Sequence, residues 1–223
     1  MAYQTVARPP VRRRRRKRSR MPRVIAGLAI LVAVLLVCKG VLEGWWGQRQ
    51  PPETPEWVSW EPLALNPYSR PGTPLEQVNG IVVHYVGNPG TTAAQNRSYF
   101  ASLAETGETY ASSHFLIGLE GEILQCVPLD EVAYCSNQRN EDTLSIECCH
   151  PDGTGEFTQA TYDSLVKLCA WLADYYRLDT DQIIRHYDVT GKACPLYFVD
   201  HPEAWAAFLE DVEQAPVTGK DGS

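Results

Sequence analysis

Gly80-Ile81-Val82-Val83-His84-Tyr85 is a short apolar run that ends in a histidine. Three β-branched residues in succession read as a buried strand. Alternation along it places Val82 and His84 on one face and Val83 on the other. Leu144-Ser145-Ile146-Glu147-Cys148-Cys149 is a second strand of this kind. There Leu144, Ile146 and Cys148 share one face, and Ser145, Glu147 and Cys149 the other. Ser113-His114-Phe115-Leu116-Ile117-Gly118 and Ile123-Leu124-Gln125-Cys126-Val127 flank Leu119-Glu120-Gly121-Glu122, which predicts a hairpin. Helical patterns lie between these runs. Residues 91–104 have helix composition. Residues 157–176 carry Tyr162, Leu165, Val166, Cys169, Leu172, Ala173 and Tyr176 at i, i+3, i+4 spacing, with Thr158 as the cap. Ile183-Ile184-Arg185-His186 is short and apolar, and His201-Pro202-Glu203 opens a last amphipathic helix through Val212. Strands alternating with helices imply an α/β fold, a mixed central β-sheet flanked by α-helices.

The chain has 223 residues, 44% of them hydrophobic, with six Trp, so one domain with a substantial core is expected and global disorder is not. The net charge of −7 averages two unlike regions. Residues 1–50 hold 12 of the 20 Lys and Arg with one acid, Glu43; residues 51–223 hold eight bases against 26 acids. An acidic body argues against nucleic acid as a partner, because phosphate binding needs clustered basic groups.

The basic residues have another explanation. Arg8, Arg12 to Arg16, Lys17, Arg18, Arg20 and Arg23 precede an uncharged apolar run from Val24 to Val37, which Cys38-Lys39-Gly40-Val41-Leu42 extends. The whole reaches about the 17–20 residues needed to span hydrocarbon. Bases before it place the N-terminus in the cytoplasm and the remainder outside. Trp45 and Trp46 stand where an interfacial belt is expected. A cleaved signal peptide is the rival reading, but Cys38-Lys39-Gly40 is a poor cleavage site. The expected organisation is a basic cytoplasmic tail (1–23), a single transmembrane signal-anchor (24–42), a tether (43–75), a folded domain (76–213) and a disordered tail (214–223). The tether holds seven of the 16 prolines between Pro51 and Pro74, although Trp57, Trp60 and Leu63-Ala64-Leu65 are apolar enough to pack in part onto the domain.

His186-Tyr-Asp-Val-Thr-Gly-Lys192-Ala-Cys194-Pro195 supplies the chemistry. With His84 and Glu147 it gives two imidazoles, a thiolate, a carboxylate and an ammonium. Three protein ligands with one position left open is the inventory of a catalytic zinc site. Each residue has a plainer reading alone. His84 suits a hydrogen-bonded core histidine, Cys194 a small buried hydrophobe, Glu147 a salt bridge to Arg139 or Arg185, and Lys192 a solvated surface. Among the other cysteines, Cys148 and Cys169 read as buried thiols; if any pair forms in an exported domain, Cys126 with Cys135 is the choice.

His84 at a strand end, Ser145-Ile146-Glu147, and the His186-x5-Lys192-x-Cys194-Pro195 run together resemble the zinc-dependent N-acetylmuramoyl-L-alanine amidases of the type 2 amidase and peptidoglycan-recognition-protein superfamily. The resemblance covers roughly residues 76–200. It implies Zn2+ held by His84, His186 and Cys194, Glu147 as general base, Lys192 beside the developing oxyanion, and peptidoglycan as the substrate. Some phage members carry a catalytic Tyr just before the His-Phe of the hairpin strand. Here the sequence is Ser112-Ser113-His114-Phe115, so that role is vacant, Glu147 must carry the base function, and His114 becomes a candidate substrate-binding or core residue. The alternative implied by the superfamily is a peptidoglycan-binding module without catalysis; such members commonly lack the Cys ligand that is retained here.

Overall fold

The structure is a computed structural model that describes residues 51–216. The apolar segment at 24–42 lies outside the described residues, as does most of the expected tail. Among the described residues no helix is long and apolar enough to cross a membrane.

Six strands form one sheet: β1 (Ser59–Trp60), β2 (Ile81–Tyr85), β3 (Phe115–Ile117), β4 (Ile123–Gln125), β5 (Leu144–Cys148) and β6 (Ile183–Arg185). Their order across the sheet is β1-β4-β3-β5-β2-β6. Only the β3–β4 hairpin is antiparallel; the other pairs run parallel. Gly121 turns the hairpin at φ +83°, and a Cβ there would lie 2.7 Å from the Ala160 carbonyl oxygen, so only glycine fits the turn unstrained.

The longer helices are α1 (Ala93–Thr106), α2 (Gln159–Tyr176) and α5 (Pro202–Gln214), with two short ones, α3 (His186–Thr190) and α4 (Leu196–Asp200). Thr92 and Gln95 form a capping box that starts α1. Thr158 caps α2, its hydroxyl accepting from the Thr161 N–H. Ile81, Val83, Leu144, Ile146 and Cys148 face a core built with Leu165, Leu168 and Leu172 of α2 and Phe208 of α5. The opposite face carries Leu116, Leu124 and Cys149 against Ala93 and Phe100 of α1. Alternation along β2 and β5 therefore divides side chains between two cores, and His84 and Glu147 fall on the α1 side.

Two departures from the sequence reading have physical causes. Residues 51–75 do more than tether. β1 adds a strand to the edge of the sheet, the Glu61 and Leu63 N–H groups donate to the Gln125 and Cys126 carbonyls, and Val58, Leu63 and Leu75 are buried. Arg70 then clamps the segment to Glu131 through two bonds of 2.7 Å. Proline spacing hides a strand this short. The connection after β6 is also more regular than the bare spacing of His186 and Cys194 suggests: it begins with the single turn α3, which Gly191 ends at φ +77°.

Leu168 is fully buried where α2 meets the sheet. Leu168→Ala should cost about 2–5 kcal/mol of stability. Urea unfolding of both forms measures it, and a loss below about 1 kcal/mol would mean this helix face is not core.

Candidate metal centre

Three neighbouring parallel strands deliver the site from their carboxyl ends, where ligand crevices form in sheets of this type. His84 is the fourth of five residues in β2, and Glu147 the fourth of five in β5. The two are direct partners in the β2–β5 register. His186 follows β6 and starts α3, and Cys194 returns beside it as its carbonyl accepts from the Tyr187 N–H at 2.9 Å.

The ligand atoms of His84, His186 and Cys194 all lie within 4.8 Å of one another. Cys194 Sγ is 3.8 Å from His84 Nδ1, and the two imidazole centroids are 4.6 Å apart. All three residues are buried. A second set within the same span, His84, Cys135 and Glu147, adjoins the first. Together these groups line a cleft of about 210 Å³, walled by Tyr85, Phe100, Tyr110 and Tyr134, with Lys192 at its mouth.

Burial sets the protonation of these groups. It pushes His84 well below the usual histidine range, helped by the charges of His186 and Lys192. His186 is lowered by burial and then by Lys192. Both shifts favour the neutral imidazole, the form a metal ligand needs. Burial, with Glu147 nearby, pushes the Cys194 thiol up to about 12, so metal binding there would release a proton.

Glu147 is the anomaly. Its Oε1 accepts a long bond from the Cys135 thiol, 3.4 Å. Its Oε2 is shielded from solvent and, among the described residues, is the one buried side-chain N or O atom without a hydrogen-bond partner. Such an atom costs free energy unless something occupies the space in front of it. Neither salt bridge open to it in sequence exists: Arg139 pairs with Asp142, and Arg185 with Asp188. Burial raises the carboxyl to about 7, against the opposing pull of Cys135 and Lys192. Two neutral imidazoles, a thiol and an unpartnered carboxylate oxygen in one cleft fit a zinc ion with an open position.

His114 stands elsewhere. It is buried, and the Ser145 N–H donates to its Nδ1 at 3.0 Å, so the proton sits on Nε2, which donates to the Glu131 carbonyl at 2.9 Å. Burial holds its pKa down to about 4. Both of its nitrogens are used internally, and His114 is not among the residues that line the cleft. The Cys126–Cys135 pair is not formed: Cys126 is buried on the α1 side, and Cys135 faces Glu147. Sequence reasoning missed Cys135, Ser136, Tyr110 and Tyr134 as cleft residues, all of which lie in loops without motif spacing. Their only signal was a polar, turn-forming Ser136-Asn137 pair.

The raised Glu147 carboxyl has a stability consequence. The folded chain binds a proton that the unfolded chain has lost, so stability falls as pH rises from about 4.5 to about 7. In the metal-free protein Glu147→Gln should match wild type near pH 4 and exceed it at pH 8, by up to roughly 3 kcal/mol. Urea unfolding at both pH values checks this; equal stability at pH 8 would mean Glu147 is not strained by burial.

The family model for N-acetylmuramoyl-L-alanine amidase matches residues 74–196. A probable N-acetylmuramoyl-L-alanine amidase of Bacillus licheniformis is 34% identical over 164 residues, which is 68% of this chain and 46% of that protein. The N-acetylmuramoyl-L-alanine amidase BlyA of Bacillus subtilis strain 168 is 34% identical over 185 residues, covering 72% and 48% respectively. The chain thus spans about half the length of these curated relatives. In fold it is similar to PlyL, with a TM-score of 0.61 and 19% identity over 72% of this chain and 99% of that one. The catalytic domain of XlyA gives 0.58 and 23%, over 70% and 98%. With more than half its residues matched, this chain belongs to the type 2 N-acetylmuramoyl-L-alanine amidase family.

Proposed function

We propose that the chain is a zinc-dependent hydrolase that cleaves the amide between N-acetylmuramic acid and L-alanine in peptidoglycan, held at the outer side of a membrane by residues 24–42. The observation that carries the reading is the unpartnered Glu147 Oε2, set in register beside His84 and the His186–Cys194 pair. A structural metal would need four protein ligands and no idle carboxylate.

His84, His186 and Cys194 would hold the ion, which when bound supplies Lewis acidity toward water and the scissile carbonyl. Glu147 Oε2 accepts the proton of the attacking water. A carboxylate raised toward neutrality by burial is suited to release that proton again, to the leaving amine nitrogen. Lys192 brings a positive charge to the cleft mouth, where the carbonyl oxygen gains negative charge in the transition state.

Glu147→Ala should retain zinc and fold but lose turnover by about 10²–10⁴-fold, the worth of a positioned general base. The test is mass spectrometry of products from purified peptidoglycan, with zinc content measured in parallel. Free stem peptides beginning at L-alanine, from intact glycan and abolished by chelator, are the expected products. Zinc-loaded wild type that binds the wall without releasing peptide would instead indicate a binding module.

The anchor is tested separately. The chain should stay with membranes through alkaline carbonate washing and leave them when residues 1–42 are removed. Release of the uncut chain by the wash would remove the anchor from the proposal.

A further inference from the structure

Three consecutive residues of one loop reach three different groups of the metal centre. Cys135 Sγ donates to Glu147 Oε1 at 3.4 Å. Ser136 Oγ lies 3.1 Å from His84 Nε2. Asn137 Oδ1 lies 2.8 Å from His186 Nε2. Such coincidence needs a rigid loop, and this one is cross-braced. Asn140 Oδ1 accepts from the backbone N–H of both Cys135 and Ser136, at 3.0 and 2.6 Å. The Thr143 hydroxyl donates to the Arg139 carbonyl at 2.6 Å, and Arg139 pairs with Asp142. Gln138 Nε2 donates to the Val189 carbonyl of α3 at 2.9 Å, tying the loop to the element that carries His186. Asn137 itself sits at φ +53°, a left-handed conformation that asparagine tolerates and most residues do not.

We infer that the 135–140 loop is the positioning frame of the centre, and that Asn137 is the residue that fixes His186. An acceptor on Nε2 places the imidazole proton there and leaves Nδ1 as the bare donor atom. The geometry at His84 is consistent with the same arrangement: Ser136 takes Nε2, while Nδ1 faces Cys194. On this reading both rings offer Nδ1 to the site, and their Nε2 atoms are held by adjacent residues of one loop. Asn137 touches neither the ion nor the substrate in this scheme; it acts through His186. The inference rests on the zinc reading above only for its affinity readout.

Two measurements on the 223-residue chain test it. The first uses metal-free protein with nitrogen-15 in its five histidines, His186 being assigned by its loss in His186→Gln. His186 should carry its proton on Nε2. A proton on Nδ1 overturns the assignment, and this readout stands whether or not the protein is an amidase. The second is zinc affinity by competition with a chromophoric chelator. Asn137→Gly keeps the left-handed backbone relaxed but removes the acceptor, and should weaken zinc binding about 10- to 100-fold. Asn137→Asp restores an acceptor and should bind within about threefold of wild type. Wild-type affinity in the Gly variant would make Asn137 a backbone residue only, and an equal loss in the Asp variant would show that the acceptor on Nε2 is not what fixes His186. Failure of the wild-type chain to bind zinc would count against the zinc hydrolase, with the tautomer still deciding the role of Asn137.

Discussion

The β2–β5 register is the constraint on which the rest of the structure depends. It sets His84 opposite Glu147 and, two residues earlier, Val82 opposite Ser145. Side chains alternate strictly, so a slip of one residue would send His84 and Glu147 into the leucine core of α2 and bring Val83 and Ile146 to the cleft. That core opposes the slip. Ile81, Val83, Leu144 and Ile146 are completely buried against α2 and α5, and each would be lost to it together. Apolar burial on one face thus fixes polar chemistry on the other, at strand ends where the backbone can turn away and leave a crevice.

The centre is also where the fold gives up stability. A shielded carboxylate oxygen without a partner, a thiol held protonated by burial and two imidazoles kept neutral are all unfavourable in isolation. Their cost is offset by neighbours that keep to ordinary rules. His114 is fully hydrogen-bonded between Ser145 and Glu131, and Glu131 also takes the Arg70 fork. The contrast between satisfied His114 and unsatisfied Glu147, on the same side of the sheet, separates framework from site. Local rules broken without internal compensation are the mark of a functional position.

The parts of this architecture legible in sequence were those with a period. Alternation grouped His84 with Val82 on one strand and Glu147 with Ser145 and Cys149 on another, i, i+3, i+4 spacing found α2, and Thr158 marked its start. The run from His186 to Pro195 was readable because its donors are uncommon residue types at short offsets. What escaped was set by contacts across the chain. β1 has two residues and no period of its own; it exists because β4 offers an open edge. Ser136 and Asn137 are ordinary turn residues until the fold brings them beneath two imidazoles some fifty residues away in each direction. The choice of Cys135 as a disulfide partner failed for the same reason, since nothing local says that it faces Glu147.

The edge strand contributed by residues 51–75 has a mechanical meaning. β1 and β4 stand at one side of the sheet, with β3 between them and the three strands of the centre. A pull applied to the polypeptide upstream of Pro51 is borne first by two residues of pairing, the Glu61 and Leu63 bonds and the Arg70 fork on Glu131. The strands that carry His84 and Glu147 meet the load only after those have given way. The strap can therefore yield under tension before the strands that carry His84 and Glu147 are loaded.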